Sequence, residues 1–355
     1  MTAELAAALR RLVEDLSPEA RVREVMETDD GYDEACWARL GALGYLGMAI
    51  PERYGGGGQD VTYSAALSTE LGRGLTCVPY LSSVVLGAGA LLAAGDEESR
   101  ARHLPAIAAG RRRVTLALPD LVDSGAPPTV AARNGVLDGH VAAVLDGHTA
   151  DLLLVVTADG VWEVAATAPG LTRRRLATLD RTRRLARVEL RGVPARRIGA
   201  VDALGAVRRR ALVHLAAEQV GGAQRMLDTA VAYAKTRVQF GRPIGGFQAV
   251  KHLCADMFVA VESARATAEH AAAHPDDEMA ASLAKAVCSE AYATVATDAI
   301  QVLGGIGFTW EHPAHLYLRR ARSDELLFGD PARHYARLAG SPSTPATARA
   351  ANSSS

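Results

Sequence analysis

Arg237-Val-Gln-Phe-Gly-Arg-Pro-Ile-Gly-Gly-Phe-Gln248 interrupts a long helical pattern and decides how the last third of the chain is built. Apolar residues recur at helical spacing from Ala211 to Arg237 and again from Phe247 to His274. Gly241 is suited to cap the first helix and Pro243 cannot continue it, so the segment reads as the tight corner of a helical hairpin. Arg237 and Gln239 would point donors outward there. Taken alone, that is also an ordinary solvated turn, since exposed Arg and Gln are common at corners. A third helical stretch, Glu278 to Gly304, runs into Gln301-Val-Leu-Gly-Gly-Ile-Gly-Phe308 and Thr309-Trp-Glu-His-Pro313. Its glycines would let a backbone approach a ligand closely, although a glycine C-cap reads the same way. With a last helix from Pro331 to Leu338, helices this long imply a bundle over residues 201–340.

Upstream, residues 113–200 carry short apolar runs, Val114 to Leu118, Val141 to Leu145, Leu152 to Val156 and Val161 to Ala165, punctuated by Gly and Asp. These read as antiparallel strands of a small β domain. Residues 1–112 return to helical spacing at Leu5, Leu9, Leu12 and Leu16, at Leu40, Leu43 and Leu46, from Ala65 to Leu75 and from Ser82 to Ala94, with Pro51 and Gly55 to Gly58 as a break. Residues 341–355 are Ser, Thr, Ala and Pro with little apolar bulk and are expected to be disordered. A formal net charge of -1 gives no global field for nucleic acid or an anionic membrane. Cys36, Cys77, Cys254 and Cys288 lack metal or disulfide spacing, so no metal is expected and buried free thiols are. The acidic, amphipathic start and the absence of any run near ~18 apolar residues point to a cytoplasmic protein without a membrane span.

In order, Pro51-Glu-Arg-Tyr-Gly-Gly56, Arg237-x-Gln-Phe-Gly-x-Pro-Ile-x-x-Phe-Gln248 and Gln301 to Pro313 resemble the acyl-CoA dehydrogenase family over roughly residues 1–338. The resemblance implies an α+β fold with an N-terminal helical domain, a middle β domain and a C-terminal four-helix bundle. It also implies FAD and α,β-desaturation of an acyl-CoA thioester. In that family the matching Arg, Phe and Gln-x-x-Gly-Gly elements reach the FAD of a neighbouring subunit. Here they are Arg237, Gln239, Phe240, Gln301, Gly304 and Gly305. A guanidinium can fork onto diphosphate oxygens, and glycines let backbone lie along the adenosine end.

The chain departs from the family where the chemistry is done. The family's base, a glutamate that takes the substrate's α proton as the β hydride moves to the flavin, corresponds to Phe328, and the alternative base position to Ala211. Neither side chain takes a proton. No catalytic residue is therefore assigned, with Glu218 and Glu325 as the nearest carboxylates. In the middle domain, Leu118-Pro-Asp-Leu-Val-Asp-Ser-Gly125 and Ala143-Val-Leu145 lack the family's Thr and Trp, leaving Asp120, Asp123 and Ser124 as polar groups. Groups serving the chain's own flavin are missing while groups reaching a neighbour's remain. This resembles the non-catalytic subunit of heteromeric actinobacterial acyl-CoA dehydrogenases, with a second acyl-CoA dehydrogenase subunit as partner and an electron-transfer flavoprotein as acceptor. The alternatives are a self-sufficient homomeric dehydrogenase with a displaced base, and a flavin-free acyl-CoA-binding or structural protein on the same scaffold.

Overall fold

Among the described residues five aspartates start helices, each accepting backbone N–H bonds that a helix N-terminus leaves open. Asp33 accepts from Cys36, Asp60 from Thr62, Asp96 from Ser99, Asp277 from Met279 and Ala280, and Asp330 from Arg333. The computed structural model describes residues 3–122 and 125–340. The expected disordered tail, Asp123 and Ser124 lie outside the described residues.

The first unit holds α1 (Ala3–Leu16), α2 (Glu19–Val25), α3 (Glu34–Ala42), α4 (Val61–Arg73), α5 (Gly89–Ala94) and α6 (Glu97–Ala108). The stretch read as one helix from Ser82 begins instead as a π-helix, Tyr80–Ala88, every residue of which is buried. Its wide turns let Ser83 Oγ accept the Val114 N–H at 3.0 Å and let Gly87 lie against the Val114 carbonyl, where a Cβ would come within 2.5 Å. Gly56 is as tightly placed, its missing Cβ 2.0 Å from the Ile50 carbonyl.

The middle unit holds β1 (Val114–Ala117), β2 (Val130–Arg133), β3 (Val136–Leu145), β4 (Leu152–Val156), β5 (Val161–Ala165), β6 (Leu171–Arg175), β7 (Leu185–Pro194) and β8 (Arg196–Gly199). They form two four-stranded sheets, ordered β1-β4-β5-β8 and β2-β3-β7-β6. The sequence reading of antiparallel strands holds except for β1 and β4, which pair in parallel from Val114↔Leu152 to Ala117↔Val155. Both are buried along their whole length, as parallel strands with both faces covered require.

The last unit holds α7 (Leu204–Thr236), a two-stranded ribbon of β9 (Val238–Gln239) and β10 (Arg242–Pro243), α8 (Gln248–Ala273), α9 (Glu278–Leu303), α10 (Ala314–Leu326) and α11 (Pro331–Leu338). α7 is 33 residues long and comes close to its neighbours through glycines. A Cβ on Gly221 would meet the α4 carbonyl of Thr69 at 1.8 Å, and one on Gly222 the hydroxyl of Tyr292 on α9 at 2.5 Å. No helix among the described residues is long and apolar enough to cross a membrane. The four cysteines are free thiols, Cys254 half-buried rather than buried.

Candidate functional site

α7 stops at Thr236 because Arg237 turns extended, with φ -72° and ψ 120°. Gly241 does not cap that helix, as the sequence suggested. Phe240 at φ 52° and Gly241 at φ 76° are both left-handed, which makes a type I′ turn closing the ribbon of β9 and β10. In this ribbon Gln239 faces Arg242 and Val238 faces Pro243, while the Ile244 N–H donates to the Arg237 carbonyl at 2.8 Å. Side chains alternate along a strand and opposite residues share a face, so Arg237, Gln239 and Arg242 project from one side. Phe240 is 91% exposed and meets Phe247 only edge-on, with ring centroids 6.1 Å apart. Arg242 lies over the Phe247 ring at 4.2 Å. Neither the Arg237 nor the Arg242 guanidinium has an ion pair or hydrogen bond among the described residues.

The glycine turn closes α9. Gly304, at φ 66° and ψ -147°, adopts a backbone conformation open only to glycine, and its N–H donates back to α9 carbonyls. A Cβ on Gly304 or Gly305 would meet nothing within 4 Å, whereas one on Gly307 would crowd Leu303 at 3.1 Å. The chain's own packing therefore explains Gly307 and leaves Gly305 without an internal reason. Gln301 is exposed, as are Ile306, Phe308 and Trp310. α7 and α9 each pack antiparallel to α8 and so run parallel to one another. Their C-terminal residues Ala234, Ile300, Val302 and Leu303 share one apolar cluster with Ile244. All six residues that the sequence singles out for a cofactor thus gather at one end of the bundle, and Arg242, which it did not single out, stands with them.

The interior presents the opposite picture. Phe328 is left-handed at φ 61° and buried, and its N–H donates to the Leu121 carbonyl at 2.7 Å. Leu118, Leu121, Leu145 and Phe328 belong to one packed cluster, and Ala211 is buried in it. Asp120 is held by Arg208. Between Ser68 of α4, Glu218 of α7 and Arg183 in the loop before β7 lies a cavity of about 30 Å³, room for water.

Glu218 is part of a buried ionic cluster. Arg183 donates to both its oxygens at 2.5 and 2.6 Å, and Arg320 donates to Oε1. Arg320 also donates to Asp180 at 2.6 Å and Thr182 at 2.6 Å, and Arg183 to Asp324. Burial opposes the Glu218 charge, but the two guanidiniums outweigh it and hold the carboxyl below its ordinary range. Asp324 is pushed up to about 7, mainly by burial, with Glu218 repelling its charge. Glu325 pairs with Arg322 at 3.0 Å, while its carbonyl accepts from the buried ammonium of Lys285 at 3.1 Å. A histidine outside the sequence reading, His214, sits one turn beyond Ala211 against Ser68 Oγ at 2.9 Å; burial pushes its imidazole down to about 4.

Known proteins share both the order and the shape of these elements. Models of the acyl-CoA dehydrogenase N-terminal and C-terminal domains match residues 2–111 and 209–340. The acyl-CoA dehydrogenase IpdE2 of Mycolicibacterium smegmatis is 38% identical over 323 residues, covering 91% of this chain and 92% of its own. The solved ChsE4-ChsE5 complex from Mycobacterium tuberculosis superposes with a TM-score of 0.87 at 30% identity, covering 96% of this chain and 97% of that one. The Tcur3481-Tcur3483 steroid ACAD G363A variant superposes at 0.86 and 31% identity, covering 95% and 96%.

Proposed function

The chain belongs to the acyl-CoA dehydrogenase family, oxidoreductases acting on CH–CH bonds with FAD, and from that premise we propose that it is the partner subunit of a heteromeric member, completing a neighbour's FAD site without a base of its own. One contrast carries this reading. Gly305 and the Arg237 guanidinium have no partner inside the chain among the described residues, whereas the interior position where the family holds its base is Phe328, sealed against Leu118, Leu121 and Leu145. Two of the similar solved structures are complexes of paired chains, ChsE4 with ChsE5 and Tcur3481 with Tcur3483.

Arg237 suits one phosphate of the FAD diphosphate through its fork, with Gln239 and Gln301 as amide donors and acceptors beside it. Gly304 and Gly305 offer backbone without side-chain hindrance along the adenosine end. Exposed Phe240 and Phe308 supply apolar surface that a second chain would cover. Bound FAD would accept the hydride that leaves the β carbon of the acyl-CoA thioester. The base that takes the α proton comes from the other subunit: Glu218 is held by two guanidiniums and Glu325 by Arg322. An electron-transfer flavoprotein is the acceptor in this reading. The cytoplasm, where its four free thiols stay reduced, is the compartment.

The chain is expressed alone and together with a second acyl-CoA dehydrogenase chain of the same organism, and flavin absorbance, assembly mass and turnover with an artificial electron acceptor are measured. Flavin and turnover are expected only for the mixed assembly. A chain that purifies yellow on its own and desaturates an acyl-CoA at a rate matching the mixed assembly would refute the proposal.

A further inference from the structure

Between Asp228 and Asp256 lie 27 residues with four cationic side chains, Lys235, Arg237, Arg242 and Lys251, and no carboxylate. In a chain of net charge -1 that is a local excess. None of the four takes part in an ion pair or side-chain hydrogen bond among the described residues, although arginines elsewhere in the chain do so repeatedly, as in the pairs of Arg10 with Glu70 and Arg113 with Asp151. They are concentrated at the bundle end that carries the ribbon and faces outward.

Arg242 differs from an ordinary surface arginine in two respects. It stands directly opposite Gln239 in the ribbon register and on the same face as Arg237. Its guanidinium also lies over the Phe247 ring at 4.2 Å, and Phe247 in turn meets Phe240 edge-on. Stacking limits the side chain's rotamers before any ligand arrives, so less ordering entropy is lost when its N–H groups engage an anion. The ribbon thus presents two guanidinium forks on the face that carries Gln239, whose amide Nε2 donates to the Val238 carbonyl at 2.9 Å, so that one fork is available for each of two linked phosphates.

From this we infer that Arg242 is a second anion-contacting residue, forming with Arg237 and Gln239 a claw for the diphosphate of the dinucleotide held by the neighbouring chain. The inference rests on the proposed function, since it names how that shared site grips its cofactor. Arg237 alone matches the family pattern quoted above; Arg242 enters through the register of β9 and β10.

The test uses the flavin-bearing assembly this chain forms, whether with a second chain or with copies of itself. It is stripped of flavin and retitrated with FAD and with FMN, which lacks the second phosphate. Arg242→Met, Arg242→Lys and Arg237→Met are compared, with assembly mass and the Tm of the isolated chain followed alongside. Arg242→Met is expected to weaken FAD by roughly 10- to 100-fold, the loss of a charge-assisted hydrogen bond, at unchanged mass and Tm. FMN binding should change little, and Arg242→Lys should recover part of the loss at low salt, where an ammonium still attracts phosphate. If Arg237→Met weakens FAD and Arg242→Met does not, the claw is wrong and the shared site stands. If neither matters, or if no flavin-bearing assembly forms, both fall. Loss of FAD only in step with loss of assembly would make Arg242 a hairpin brace and overturn the inference.

Discussion

Replacing Glu218 with glutamine separates a structural role from a catalytic one. The substitution keeps the shape of the side chain and removes one negative charge from a cluster of two guanidiniums and three carboxyl groups. Breaking a buried ion pair costs about 3–5 kcal/mol, because the remaining charge is left without its partner. Here the loss falls at the lower end. Arg320 keeps Asp180 and Arg183 keeps Asp324, whose carboxyl ionises more readily once Glu218 no longer repels it. For a chain of this size unfolding as one unit, the entropy of unfolding is roughly 0.7 kcal/mol per degree, so about 3 kcal/mol lowers Tm by about 4 °C. The assay is thermal unfolding of the isolated chain at pH 7, beside turnover of the flavin-bearing assembly at 25 °C. The expected outcome is the drop in Tm with turnover nearly intact. A general base contributes about 10²- to 10⁴-fold, so turnover falling by that much with Tm unmoved would mean that Glu218 takes the proton and that its embrace by Arg183 and Arg320 has been misread.

Three further outcomes follow from the geometry. Phe240→Asn places at the left-handed first position of a type I′ turn the residue that suits it, and should stabilise the isolated chain by about 1 kcal/mol in urea unfolding while weakening its assembly; weakened unfolding resistance would contradict the strain assigned to Phe240. Gly305→Ala, with open space around the new methyl, should leave the stability of the isolated chain within about 0.5 kcal/mol yet weaken FAD in the assembly about tenfold or more; equal FAD affinity would remove Gly305 from the shared site. In the folded chain Asp324 keeps until about pH 7 a proton that the unfolded chain releases near ~4, so its contribution to stability falls as pH rises between those values. Asp324→Asn abolishes that fall, and the Tm of the variant minus that of the parent should climb from pH 5 to pH 8; a flat difference would show that Asp324 is ionised throughout.

Where buried residues are apolar and turns are marked by Gly, Asp or Pro, the sequence announced the structure. Leu152–Val156 and Val161–Ala165 stand where their apolar runs ended, and α9 and α11 begin one residue after capping Asp277 and Asp330. Where buried residues are charged, periodicity failed. α10, Ala-His-Leu-Tyr-Leu-Arg-Arg-Ala-Arg-Ser-Asp-Glu-Leu, turns Arg320 and Asp324 inward, so it gives no apolar stripe to read. β7 is the reverse case, its inward Ala186, Val188 and Leu190 alternating with Arg187 and Glu189 at the period of a half-buried strand. The parallel pairing of β1 with β4 is a choice of partner that neither run encodes locally. At the candidate site, Arg237, Gln301 and the glycines were legible because the pattern of residue types repeats a known one. Arg242 became visible only through cross-strand register, and the burial of Glu218 only once Arg183, distant in sequence, was brought to it.

Because α8 runs back against both α7 and α9, the connection at the other end of the bundle, His274 to Asp277, is separated from the ribbon by the length of a 26-residue helix. At 1.5 Å per residue that is about 39 Å. Insertions in this short exposed link change neither the spacing of the ribbon and the glycine turn nor their shared apolar footing. It is therefore the natural place to carry a fluorophore or an affinity handle, from which the proposed docking at the opposite end can be timed without touching the residues assigned to it.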